Sequence, residues 1–81
     1  MEKLLFSGIV CAEPKPRLDE ERELFCELRV RSQGHVRMLH VTSATQYALY
    51  SHAQKGDSVL VTGVLRNGII RDAAVFRTRA S

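Results

Sequence analysis

Eighty-one residues with an apolar share of 44% and a formal charge of +3 are enough for one packed domain, 1–81, and exclude both two separate cores and a disordered chain. The charge is uneven: segment 13–23 carries a net −2, everything from Leu24 onward a net +5, and the first twelve residues are neutral. A basic body beside an acidic loop suits a polyanionic partner, because cations that contact phosphates release counterions; a merely solvated basic surface is the equal alternative. Cys11 and Cys26 stand fifteen positions apart inside apolar segments, which is neither a disulfide framework nor a metal spacing. The opening residues lack the apolar run and cleavage site of a signal peptide, and no stretch approaches membrane-spanning length, so a soluble cytoplasmic protein without a membrane partner is expected.

Lys3 to Cys11 reads as the first strand, apolar on both faces with Gly8 at its centre, where a glycine marks the bend a closing barrel needs. Pro14 and Pro16 end it, since neither donates a ladder hydrogen bond. Glu23 to Ser32 alternates with period two: Leu24, Cys26, Leu28 and Val30 on one face, Phe25, Glu27, Arg29 and Arg31 on the other. Ser32-Gln33-Gly34 reads as a hairpin turn into a third strand, His35–Val41, in which Arg37, Leu39 and Val41 oppose Val36, Met38 and His40. Ser43 and Gln46 match a capping box, and Ala44 to Gln54 then reads as the only helix, with Gly56 as its left-handed stop. Ser58 to Leu65 is a fourth strand with Gly63 at another bend, and Asn67-Gly68 predicts a tight primed turn into the fifth, Ile69 to Thr78. Strand, strand, strand, helix, strand, strand is the order of the all-β five-stranded OB-fold barrel, its one α-helix lying between strands 3 and 4.

Three stretches carry a more particular resemblance: Leu5-Phe6-Ser7-Gly8-Ile9-Val10 followed by Pro14, Tyr50 through Lys55-Gly56-Asp57-Ser58-Val59, and Val61-Thr62-Gly63-Val64-Leu65. Together they resemble the bacterial single-stranded-DNA-binding protein family and its relative, the primosomal replication protein N family; Ser7 through Pro14 is especially similar to the opening of the latter. The resemblance implies an OB barrel that forms a homodimer or homotetramer, often through its first strand, and binds single-stranded DNA in replication or repair with little sequence preference. The chain departs from the family in having no tryptophan, a short last hairpin, and no glycine-rich tail with an acidic tip.

Single-strand binding combines a basic groove with aromatic platforms. Phe25 shares its strand face with Arg29 and Arg31, one ring and two phosphate partners along a line; the plain alternative is a ring in a subunit contact beside solvated arginines. Arg66 and Arg71 flank the Asn-Gly turn and could clamp phosphates, or could simply keep an edge strand soluble. Arg37 completes the candidate set, and Lys15 and Arg17 are weaker additions beside their acidic neighbours. Tyr47 and Tyr50 read as packing residues. His35, His40 and His52 lack ligand spacing, and Asp57, Asp72 and Ser43 form no acid/base pair or nucleophile set, so no metal, cofactor or enzymatic activity is expected. The sequence thus points to a single-stranded-DNA-binding protein, with RNA as a possible ligand. The alternative is an OB-fold interaction module that joins itself or a replication protein and has little DNA affinity.

Overall fold

The computed structural model describes residues 2–41 and 54–78, and within them the chain is all-β. Six strands appear: β1 (Glu2–Val10), β2 (Lys15–Leu18), β3 (Leu24–Ser32), β4 (His35–Val41), β5 (Ser58–Arg66) and β6 (Ile69–Arg77). Their order is β1-β5-β6-β4-β3-β2, and an added β1–β3 pairing joins the ends of the first five into a closed barrel. All neighbours are antiparallel except β4 and β6, which pair in parallel through Met38–Ile69 and Leu39–Ile70. The architecture is a closed five-stranded β-barrel with an additional edge strand, compatible with an OB-like barrel and one strand more than the sequence suggests.

That extra strand corrects the reading of Pro14 and Pro16 as a plain strand terminator. Lys15 to Leu18 pairs with Leu24 to Glu27, and Pro16 is tolerated because β2 is an edge strand, where one backbone nitrogen need not donate. The expected helix falls on residues that lie, except for its end, outside those described. Gly56, the residue expected to follow it, has φ of 100°, and its N–H donates to the Val10 carbonyl at 2.8 Å.

Alternation decides which residues go inside. Cys26, Leu28 and Val30 of β3 meet Leu39 and Val41 of β4, with Val59, Val61, Ile70 and Val75 completing a core buried almost entirely from solvent. Burial also pushes the Cys26 thiol up from its ordinary pKa, so it is held as an apolar, protonated side chain. Both hairpins turn in two residues with positive φ, Gln33 and Gly34 at 51° and 81°, Asn67 and Gly68 at 53° and 77°. This is the primed geometry that matches strand twist, and it sets the registers Ser32–His35 and Arg66–Ile69.

Two glycines are required by close approach. At Gly8, β1 is leaving its partner β5 to reach β3, and a Cβ there would lie 2.5 Å from both the Arg31 carbonyl oxygen and Val30 Cγ1. At Gly63 a Cβ would collide with Ile70 Cγ2. This second site faces the irregularity between Thr62 and Val64, where Asp72 adopts a φ of 51°. The bulge adds the local twist that closure demands.

Asp57 closes the bottom of this arrangement and is only 8% exposed. Its carboxylate accepts the Gln54 N–H at 2.9 Å and an Arg77 Nη2–H at 2.8 Å. The backbone bond at Gln54, followed by the Arg77 side chain, holds its pKa below the usual carboxylate value. Lys55-Gly56-Asp57 is therefore a structural joint that ties the entry of β5 to the end of β6.

Candidate nucleic-acid interface

The outward side chains of β2, β3, β4 and β6 fall into cross-strand rows fixed by register. Arg31 opposes Val36; Arg29 opposes Met38, which adjoins Ile69 and then Arg66; Glu27 opposes His40 on one side and Lys15 on the other; Phe25 opposes Arg17. Arg71, two residues beyond Ile69, extends the Glu27–His40 row. The barrel thus brings Phe25, Arg29, Arg31, Arg66 and Arg71 onto one continuous surface.

Arg37 does not join them. It pairs with Val30, an inward residue, and so has the parity of Leu39 and Val41. Its guanidinium escapes at the barrel mouth, with Cζ 5.9 Å from the centre of the Phe6 ring. A cation over an aromatic face is a packing interaction, which gives Arg37 a structural use.

Two features of this surface are absent from the sequence reading. The first is the partner of Phe25: the His40 ring lies against it, with centroids 4.3 Å apart and planes inclined by 31°. His40 is partly buried, and that desolvation, followed by the positive charge of Arg71, lowers its pKa from 6.5 against the opposing pull of Glu27. The lowered pKa favours the neutral imidazole, which lies as a second ring beside Phe25. Only the period-two match of Phe25 and His40 across one hairpin could have signalled it.

The second is Glu27, an acid in the middle of the basic line. Its Oε2 accepts the Arg17 Nε–H at 2.8 Å and its Oε1 accepts an Arg29 Nη2–H at 3.5 Å. The Arg17 bond is the main reason its pKa sits below 4.5. Its side chain is 12% exposed, whereas the two arginines are about half exposed. Glu27 therefore orients two guanidiniums and partly neutralises them. Arg31 and Arg71 form no ion pair among the described residues.

Comparison with protein-family models and with curated proteins finds no match for this chain. The functional reading accordingly rests on residues and geometry.

Beside the platform, Leu18, Asp19, Glu20 and Glu21 form a lip over a cleft of about 470 Å³ that Phe25, His40 and Arg71 also line. The lip is held by Asp19, whose Oδ1 accepts the N–H groups of Glu21 and Glu23 at 2.9 and 2.8 Å. No cluster of three or more histidine, cysteine or acidic side chains suited to a metal ion forms among the described residues. No helix among them is long and apolar enough to cross a membrane.

The opposite side of the barrel differs. Leu5 is 68% exposed, Ile9 51% and Phe76 51%, and the register sets Phe76 beside Leu60 and Leu5 beside Thr62. That outer face of β1, β5 and β6 carries these exposed apolar side chains among Ser7, Ser58 and Thr62.

Proposed function

We propose that the chain is a non-catalytic, single-stranded-nucleic-acid-binding OB protein whose strand path crosses the outer face of β3 and β4. The observation that carries this reading is the tilted Phe25–His40 ring pair, with Arg71 beside His40 and with Arg29 and Arg31 further along the outer face of β3. A base stacked on such a ring contributes about 1–3 kcal/mol, and Arg71 beside it and Arg31 further along the face supply phosphate contacts. Arg29, Arg17 and Arg66 extend the positive track. With one two-ring platform and no tryptophan, affinity comes mainly from charge and falls steeply with salt. The preferred ligand is single-stranded DNA, in a replication or repair role within the cytoplasm.

Fluorescence titration with a labelled oligo-dT at low and moderate salt tests this. Binding at low salt that weakens with salt is expected. The Arg29→Glu, Arg31→Glu double variant should lower the slope of log affinity against log salt by about 1.4, the share of two phosphate contacts on a single strand. Absence of binding at low salt would overturn the proposal.

A second reading is favoured by Leu5, Ile9 and Phe76: the β1–β5–β6 face joins a second copy of this chain. Such exposed apolar side chains suit a self-associating contact, and a small domain gains buried surface in this way. Light scattering with and without an oligonucleotide reports assembly and ligand together.

A further inference from the structure

The nucleic-acid reading leaves the acidic lip unexplained, since carboxylates beside a phosphate track repel it. We infer that the cleft between the lip and the Phe25–His40 platform selects among bases, accepting those whose edge presents an amino group, cytosine above all, and disfavouring thymine. The inference rests on the function proposed above and names its specificity.

The cleft combines three kinds of wall around one space. Its floor is aromatic, the tilted pair of Phe25 and His40. Arg71 adds a cation to the lining, and Asp19, Glu20 and Glu21 add acidic residues. Its volume, about 470 Å³, lies within the range of about 300–1,000 Å³ typical of sites that enclose a small ligand, so one nucleotide is a suitable occupant. A base lying on the rings would leave its phosphate near Arg71 and turn its polar edge toward the lip.

The chemistry of that edge decides the outcome. An ionised carboxylate only accepts hydrogen bonds. Cytosine offers its N4 amino group, the base-edge partner that suits Asp and Glu; thymine presents the O4 carbonyl at the same place, two acceptors facing one another. The lip is also fixed in shape. Asp19 spends Oδ1 on two backbone N–H groups, and the Arg22 N–H donates to the Asp19 carbonyl at 3.0 Å. The turn thereby holds Glu20 and Glu21 at the rim of the cleft, with no hydrogen bond or ion pair to another side chain among the described residues.

The test compares oligo-dC with oligo-dT of equal length by competition titration at mildly alkaline pH, where His40 is neutral and cytosine strands do not pair with themselves. The wild type should prefer oligo-dC by about fivefold, the low end of what a base-edge hydrogen bond supplies. The double variant Glu20→Gln, Glu21→Gln should bring the two ligands together, chiefly by improving oligo-dT. Equal binding of both ligands by the wild type overturns the inference, and so does a variant that improves both by the same factor, since the lip then acts on phosphate alone. In either case the binding function stands if Arg29→Glu, Arg31→Glu still weakens the complex. Failure of both ligands to bind at low salt overturns the function and its specificity together.

Discussion

The two outer faces of this barrel arise from the same alternation and differ in almost everything else. On the β2–β3–β4 side the outward positions hold Arg17, Phe25, Glu27, Arg29, Arg31 and His40; on the β1–β5–β6 side they hold Leu5, Ile9, Leu60 and Phe76. A phenylalanine stands on each. Phe25 is half-buried on a histidine among charges, and Phe76 is exposed among aliphatic neighbours. An exposed ring gains its meaning from what surrounds it: arginines make a stacking platform useful to a polyanion, and leucines make an apolar surface suited to another protein.

The largest expected effect breaks the scaffold that keeps the faces apart. Gly8→Ala places a methyl group against the Arg31 backbone oxygen, which cannot swing away as a side chain would. A loss of about 3 kcal/mol in denaturant unfolding is expected, at the top of the range for overpacking. Next come the two rings. Phe25→Ala should weaken oligo-dT binding by about tenfold, toward the low end for one stacked base, and leave the solution mass unchanged. Phe76→Ala should do the reverse, altering mass by light scattering with little change in affinity per subunit. If both variants altered only binding, the division between the faces would fail.

A smaller effect concerns Glu27. Because its folded pKa lies below 4.5, its contribution is present above that pH and is lost as pH falls through the lower, folded value. Glu27→Gln should remove this acid dependence and cost at most about 1 kcal/mol, since both arginine partners are half exposed to screening solvent. It should also tighten oligo-dT binding by freeing Arg17 and Arg29. The smallest effect belongs to His40. Its folded pKa is below 6.5, so stability is full above that pH and declines as pH drops below it, where the unfolded chain takes up the proton first. Oligonucleotide affinity should move the other way, rising once the imidazolium adds a positive charge to the platform; desolvation, then the charges of Arg71 and Glu27, set where this happens. Paired unfolding and titration series across mildly acidic pH check both signs.

Much of the barrel was legible because period-two patterning and turn chemistry are local. Leu24 through Arg31 announced both faces of β3, and Asn67-Gly68 and Gln33-Gly34 announced their turns. Gly8 and Gly63 were legible as bends, although the atoms that require them are far away in sequence. β2 was missed because two prolines outweigh a four-residue strand in any local reading, and only the partner β3 makes it a strand. The candidate site was legible along one strand and obscure between strands. Phe25, Arg29 and Arg31 follow from alternation alone, but the His40 ring, the Glu27 bridge and the position of the acidic lip depend on which residue faces which across a hairpin. Arg37 shows the limit clearly: its parity with Leu39 already set it apart from Arg29, and its charge drew it into the candidate set.

The position of β2 has a consequence for how the protein behaves in a crowd. β3 gives one margin to β4 and divides the other between β2 and β1, so that β2 covers the part of β3 that β1, which reaches it only at Ile9 and Val10, leaves open. The outer side of β2 is four residues long and interrupted by Pro16, with Lys15 and Arg17 on either side. Short, charged and proline-broken margins resist the addition of foreign strands. Where copies crowd together, this margin is therefore a poor template for a strand from a neighbour.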